Sequence, residues 1–172
     1  MKLNLVTLNS VSLPLIKIQN IFSNDMIKIE YPPYQPRIKQ LSGKEYIFDE
    51  VRKLWMLLTP EEWVRQNFLQ YLIKSKGYPS TLVAVEKEIK LVDLVKRFDI
   101  LVYSKDMVPW LMVECKEMKE VLNEKVLRQA LRYNVSLKVQ YIIITNGTYC
   151  YGFMLQNNEF VEIDSLPEFP TL

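Results

Sequence analysis

The sequence predicts an α/β fold: a helix, three strands, a second helix and a strand around a mixed central sheet, preceded by an extended and hairpin N-terminal extension. Three observations predict it. A capped helix opens at Thr59-Pro60. Alternating and apolar segments then follow in quick succession up to Lys116. A second helical stretch separates these from the apolar run QYIIIT. A strand that is apolar on both faces belongs in a sheet covered on both sides, and strands mixed with helices give an α/β domain.

The elements follow in order. The opening MKLNLVTLNSVSLPLIKIQNIF is apolar, but Asn4, Thr7, Asn9, Ser10, Pro14 and Lys17 interrupt it, which argues against a signal peptide. No run of 18 apolar residues occurs, so no membrane span is expected. IKIEYPPYQPR carries three prolines and reads as an extended segment ordered by packing. RIKQL and KEYIF flank Ser42-Gly43, a hairpin signal, whereas VRKLWMLL fits a strand or a helix. In the first helix Thr59 is the N-cap, Pro60 suits the first helical position, and Glu62 stands where a capping box places its acid. The helix runs through EEWVRQNFLQYLIKSK to Gly77, with Val64, Phe68 and Leu72 on one stripe and Glu61 on the same stripe by spacing. TLVAVEKEIKL alternates; RFDILVY and PWLMVECK are strands joined by a turn at Lys105-Asp106. The second helix covers Asn123 to Leu137. QYIIIT is a strand closed by Asn146-Gly147, and YCYGFML adds another. Residues 1–58 are expected as an extension packed on a main domain of residues 59–172, the whole forming one globular unit.

Composition narrows the chemistry. The 172 residues contain no histidine, which excludes Ser-His-Asp triads, Cys-His nucleophiles and histidine-metal sites. Four glycines form no G-x-x-x-x-G-K and no G-x-G-x-x-G, so phosphate-loop and dinucleotide sites have no support. Acid–base or metal chemistry must come from Asp, Glu, Lys, Tyr or Cys, and a metal held by such oxygens is a hard cation such as Mg²⁺. Two cysteines, Cys115 and Cys150, make neither a disulfide framework nor a structural zinc site and fit a reducing, cytoplasmic setting. A net charge of +2 gives no field over the whole molecule, so a nucleic-acid partner requires a local basic patch.

The informative residues are Asp99, Glu114 and Lys116. In VECK, Glu114 and Lys116 are two apart on a strand and share a face, while Cys115 points to the other. Asp99 interrupts the apolar run FDILV, where a carboxylate is costly unless paired or bound to an ion. If these strands form a hairpin, Asp99 approaches Glu114, although counting inward from Lys105-Asp106 pairs residue 99 with about 112. Two such carboxylates can hold Mg²⁺ and Lys116 can steer or deprotonate a water. Taken alone, Glu-x-Lys on a strand is more often a plain salt bridge.

The spacing Asp99-x14-Glu114-x-Lys116 resembles the signature of PD-(D/E)xK, restriction-endonuclease-like nucleases. Gln129-x3-Tyr133, one helical turn apart, resembles an accessory motif of RecB-type nucleases. TPEEWVRQ, KRFDILVY, LMVECK, the Gln129–Tyr133 helix and IIITNG together resemble the N-terminal nuclease domain of type I restriction enzyme R subunits over roughly residues 46 to 155. The resemblance implies a restriction-endonuclease-like core with Asp99 and Glu114 as metal ligands and the Cys115 carbonyl as a third. Lys116 is then the catalytic lysine and Glu61, in E-x-x-V-R, the helix acid. Gln129 and Tyr133 would orient Lys116 or contact DNA, and Arg97 would touch phosphate. The competing readings are helix-terminal charge for Glu61, ordinary packing for Gln129 and Tyr133, surface for Arg97, and a buried small side chain for Cys115. R subunits continue into helicase domains, so the resemblance is not extended to ATP-driven translocation or restriction.

The expectation is a Mg²⁺- or Mn²⁺-dependent DNA nuclease, free of membranes. The alternatives are a non-catalytic DNA- or protein-binding module of the same fold, or a nuclease subunit active only with a motor or specificity chain. Crowded negative charge at the centre further predicts that Asp99→Asn melts no lower than wild type without metal.

Overall fold

The computed structural model describes residues 26–91 and 94–170. The opening segment read against a signal peptide lies outside the described residues. Among the described residues, two sheets, two α-helices and two short helical turns make up the fold. A small antiparallel sheet comes first, from β1 (Ile38–Leu41), β2 (Lys44–Asp49) and β3 (Leu54–Leu57). Leu41 pairs with Lys44 across Ser42-Gly43, both at positive φ, so the hairpin turn read from the sequence is formed. The ambiguous VRKLWMLL resolves as a turn and β3, because Phe48 and Trp55 face each other across strands as an edge-to-face aromatic pair.

Helix α1 (Pro60–Gln70) starts at the Thr59 cap, whose hydroxyl accepts from the Glu62 N–H at 3.0 Å. The reciprocal half of a capping box is not made. The Glu62 side chain turns into the interior toward Arg52, Arg65 and Gln66, whose charge and donors outweigh one backbone N–H. The helix continues as a π turn over Tyr71–Ser75, and Gly77, at positive φ, releases the chain where expected.

The second sheet has six strands in sequential order: β4 (Val83–Leu91), β5 (Leu94–Tyr103), β6 (Pro109–Cys115), β7 (Tyr141–Thr145), β8 (Cys150–Gln156) and β9 (Glu159–Ile163). β6 and β7 run parallel and the other neighbours antiparallel, so the sheet is mixed as expected. The parallel pair needs a crossover, and α2 (Glu124–Leu137) supplies it. β9 was not read from the sequence. It returns through Asn157-Asn158, both at positive φ, a turn chemistry that matches a tight hairpin.

Alternation along β6 divides the core. Leu111, Val113 and Cys115 pack with Val64, Phe68 and Leu72 of the first helical segment, whereas Met112 packs with Leu127, Ala130 and Leu131 of α2. Each helix thus buries its apolar stripe against one face of the sheet. The proline-rich segment before β1 has no regular structure, yet Ile27, Ile29 and Tyr31 pack on the α1 side, and the Ile27 N–H donates to the Cys150 carbonyl at 2.9 Å. Among the described residues no helix is long and apolar enough to cross a membrane.

The β5–β6 register corrects the count made from the turn. Leu101 pairs with Met112 and Ile100 with Val113, which sets Asp99 opposite Glu114 rather than near residue 112. The connection is a Ser104–Val108 loop with Met107 at positive φ, and a bulge at Val102/Tyr103 shifts the ladder further.

Candidate active site

The register brings the acids together at the end of β6. Asp99 Oδ2 accepts from the Cys115 N–H at 2.7 Å, which fixes the carboxylate beside the backbone between Glu114 and Lys116. Glu114 is buried, and its Oε1 accepts from Lys116 Nζ at 2.9 Å and from Gln129 Nε2 of α2 at 2.7 Å. Glu61, in the first turn of α1, stands at the more open side, its side chain 44% exposed.

Arg65 ties α1 to this centre. Its guanidinium donates to Asp99 Oδ1 at 2.8 Å and to Glu61 at 3.0 Å, and it also pairs with Glu62. Behind it lies a chain of buried charges. Arg52 donates to Asp49 at 2.6 Å and to Glu86 at 2.5 Å, and pairs with Glu62. Asp49 is fully buried and also accepts from the Val51 and Arg52 N–H groups and from Gln66. Glu86 sits at positive φ where the β4–β5 ladder is interrupted, between the pairs Val85–Ile100 and Lys87–Phe98. The small sheet is therefore linked through Asp49, Arg52, Glu62 and Arg65 to Asp99. Ions at this depth must be paired, and here they are.

The charges shift one another's protonation. Burial, and next the Asp99 charge, push the Glu114 carboxyl up to about 7. The same two causes raise Glu61. Burial opposes the charge on Lys116, but its hydrogen bond and attraction to Glu114 outweigh it and the net shift is upward. Lys116 is thus held as an ammonium at neutral pH. Burial pushes the Cys115 thiol well up, so it is an inert small side chain and no nucleophile.

A pH dependence follows from Glu114. A carboxyl whose pKa is higher in the folded state favours folding below its unfolded value near 4.5, and that contribution is lost as pH rises through about 7. No histidine titrates in this window, and Glu61, raised by the same causes, adds to the slope in the same direction. Chemical denaturation in chelator is expected to show stability falling between pH 5 and pH 8, by up to about 3 kcal/mol. Glu114→Gln is expected to flatten most of that slope while keeping an oxygen for Gln129. A flat wild-type profile would show that the carboxylates are not crowded.

A family model described as type I restriction enzyme R protein N terminus (HSDR_N) matches residues 60–167. The chain belongs to this family. Compared with curated proteins it matches none. The HSDR_N match begins at the first residue of α1 and ends after β9, so it takes in both helices and the whole six-stranded sheet. It starts later and ends later than the stretch of residues 46 to 155 that carried the resemblance. Asp99, Glu114, Lys116, Glu61, Gln129 and Arg65 all lie inside it; Asp49, Arg52 and the small sheet lie outside.

Within this HSDR_N domain the structure brings most of the sequence-derived candidates together. Gln129 donates to Glu114, as Lys116 does, so that both donors converge on one carboxylate oxygen. Tyr133 follows one turn later in α2, and its side chain lies outside the described residues. Arg97 is set apart. Its side chain is 63% exposed and stands 3.7 Å from Glu86, on the far side of Arg65 from Asp99 in the chain of ion pairs. Cys115 meets Asp99 through its N–H.

Sequence reasoning missed Arg65, Glu62, Arg52, Asp49 and Glu86. A signal existed for two of them: Glu61, Glu62 and Arg65 are spaced i, i+3 and i, i+4 on a helix whose apolar stripe includes Val64. The structure also changes the expectation for Asp99→Asn. Asp99 is crowded by Glu114 and Glu61 but also paired with Arg65, so the substitution removes a partly buried ion pair and is expected to be destabilising.

Proposed function

We propose that this chain is a metal-dependent nuclease domain with a restriction-endonuclease-like core, hydrolysing phosphodiester bonds of DNA. The observation that carries the reading is the β5–β6 register that sets Asp99 opposite Glu114, with Asp99 bonded to the Cys115 N–H and Lys116 bonded to Glu114. The donor chemistry fits a hard cation: Asp99, Glu114 and Glu61 offer oxygen ligands, and burial together with the Asp99 charge raises the Glu114 and Glu61 carboxyls, a cost that a bound cation would relieve. Among the described residues no set of three or more acidic or cysteine side chains is spaced to enclose a metal, so loading requires Asp99 or Glu114 to give up a contact with Arg65 or Lys116.

On this reading Asp99, Glu114 and the Cys115 carbonyl hold Mg²⁺ or Mn²⁺. Such an ion, when bound, polarises a phosphate and lowers the pKa of a bound water. Lys116 acts as a charge that stabilises the phosphorane-like transition state and as a hydrogen-bond donor, because Glu114 keeps it protonated. Gln129 fixes the Glu114 carboxylate, Glu61 adds acidity at the helix end, and Tyr133 completes the accessory pair. The N–H of Cys115 and the guanidinium of Arg65 set the orientation of Asp99.

The family's name assigns its members to a type I restriction enzyme, which makes DNA the proposed partner. The pairing of Asp99 with Arg65 and of Glu114 with Lys116 favours a second reading beside the first: a nuclease that reaches its working arrangement with a motor or specificity chain. Incubating the purified protein with linear, circular and single-stranded DNA in Mg²⁺ or Mn²⁺ tests both. Cleavage that stops with chelator supports autonomous action. Absence of cleavage under every condition, with cleavage restored by no partner chain, overturns the nuclease reading.

A further inference from the structure

We propose that the outward face of the β1–β3 sheet binds single-stranded nucleic acid, at a surface separate from the acidic centre. The inference does not depend on the nuclease reading, and the surface lies outside the residues matched by the family.

Strand alternation defines the face. Ile47 and Asp49 of β2 are fully buried, so Lys44, Tyr46 and Phe48 point the other way. The register sets Lys39 opposite Tyr46, Tyr46 opposite Leu57 and Phe48 opposite Trp55. On this face the Arg37 guanidinium lies 3.7 Å over the Phe48 ring and the Lys39 ammonium 4.3 Å over Trp55. Phe48 and Trp55 meet edge to face at 5.3 Å. Exposed Leu41, Trp55 and Leu57 complete it, and Lys44 and Lys53 stand at its rim. Glu50 offsets part of the charge through Arg37, at 2.6 Å, and Lys53, at 3.3 Å; Glu45 alternates to the opposite face.

The chain's net charge of +2 gives no reason to expect a polyanion, but this face concentrates cations among aromatic rings. Rings beneath Arg37 and Lys39 hold the long side chains on the sheet and lower the entropy lost when a phosphate is bound. The guanidinium plane and the exposed indole are surfaces on which unpaired bases stack. A duplex hides its base faces and would leave Trp55 and the Arg37 plane unused. An acidic peptide would match the cations and leave the rings idle.

The test is fluorescence anisotropy of a labelled oligothymidylate with the full chain in chelator, where cleavage plays no part. Arg37→Glu/Lys39→Glu is expected to weaken binding at least tenfold. The salt dependence, as log affinity against log salt, should become shallower by about 1.4, the value for two lost phosphate contacts on a single strand. Lys44→Glu, at the exposed start of β2, is expected to weaken binding in the same direction with no effect on melting. Lys28→Glu/Lys74→Glu, an equal charge change at exposed residues elsewhere, should leave affinity within about twofold. Absence of binding by wild type, equal loss in both double variants, or competition by duplex as effective as by single strand would each overturn the proposal.

Discussion

Arg65→Ala is expected to destabilise the metal-free protein by about 3–5 kcal/mol, measured by urea denaturation at pH 7. The Arg65 side chain is 4% exposed and shared by Glu61, Glu62 and Asp99, with Glu86 at 3.6 Å. Removing it leaves buried Glu62 with Arg52 and Gln66, and Asp99 with the Cys115 N–H alone. Unpaired buried carboxylates either protonate or open the structure, and both cost stability at neutral pH. Arg65→Lys is expected to recover part of the loss, because an ammonium restores the charge but cannot span three carboxylates with a planar fork. A loss below about 1 kcal/mol for Arg65→Ala would mean that water, rather than the guanidinium, compensates these acids.

Lys116→Ala is expected to lower DNA cleavage by at least about a hundredfold while leaving metal binding in place. Lys116 is held as an ammonium, so the effect is loss of a positive charge and a donor at the phosphate rather than loss of a base. Gln129 still holds Glu114 in the variant, and Asp99 still has the Cys115 N–H and Arg65, so the ligand set survives the substitution. Single-turnover cleavage alongside a Mn²⁺ titration separates the two effects. Cleavage at the wild-type rate would remove Lys116 from the chemistry.

Local chemistry made much of this legible. Thr59-Pro60 announced α1, Ser42-Gly43 the first hairpin, and the unbroken apolar run before Asn146 a buried strand, because caps, turns and periodicity depend on neighbours in the chain. The same holds for Asp99 and Glu114: an acid inside an apolar strand has to find a partner, whatever the fold. Asn157-Asn158 carried an equally local signal for β9 that went unread. What depended on distant residues was not legible. The β5–β6 register turned on a bulge at Val102/Tyr103, which no count from a turn foresees. Nothing in their sequence neighbourhood singles out Asp49 and Arg52, yet they meet α1 and Glu86 in a network whose members are 34 residues apart at its longest links. The capping-box reading of Glu62 fails because two arginines, Arg65 one turn on in α1 and Arg52 in the β2–β3 turn, take its carboxylate.

The central claim is that Asp99 and Glu114 form a metal-binding pair, and thermal melting with and without millimolar Mn²⁺ tests it without any substrate. Wild type at neutral pH is expected to gain stability with Mn²⁺, by about 2.7 kcal/mol at a hundredfold excess over the dissociation constant, and to lose the gain on chelation. Glu114→Gln keeps its hydrogen bond to Gln129 but lacks a charged ligand, so its melting temperature should not respond. An unshifted wild type, or an equal shift in wild type and Glu114→Gln, would contradict the account.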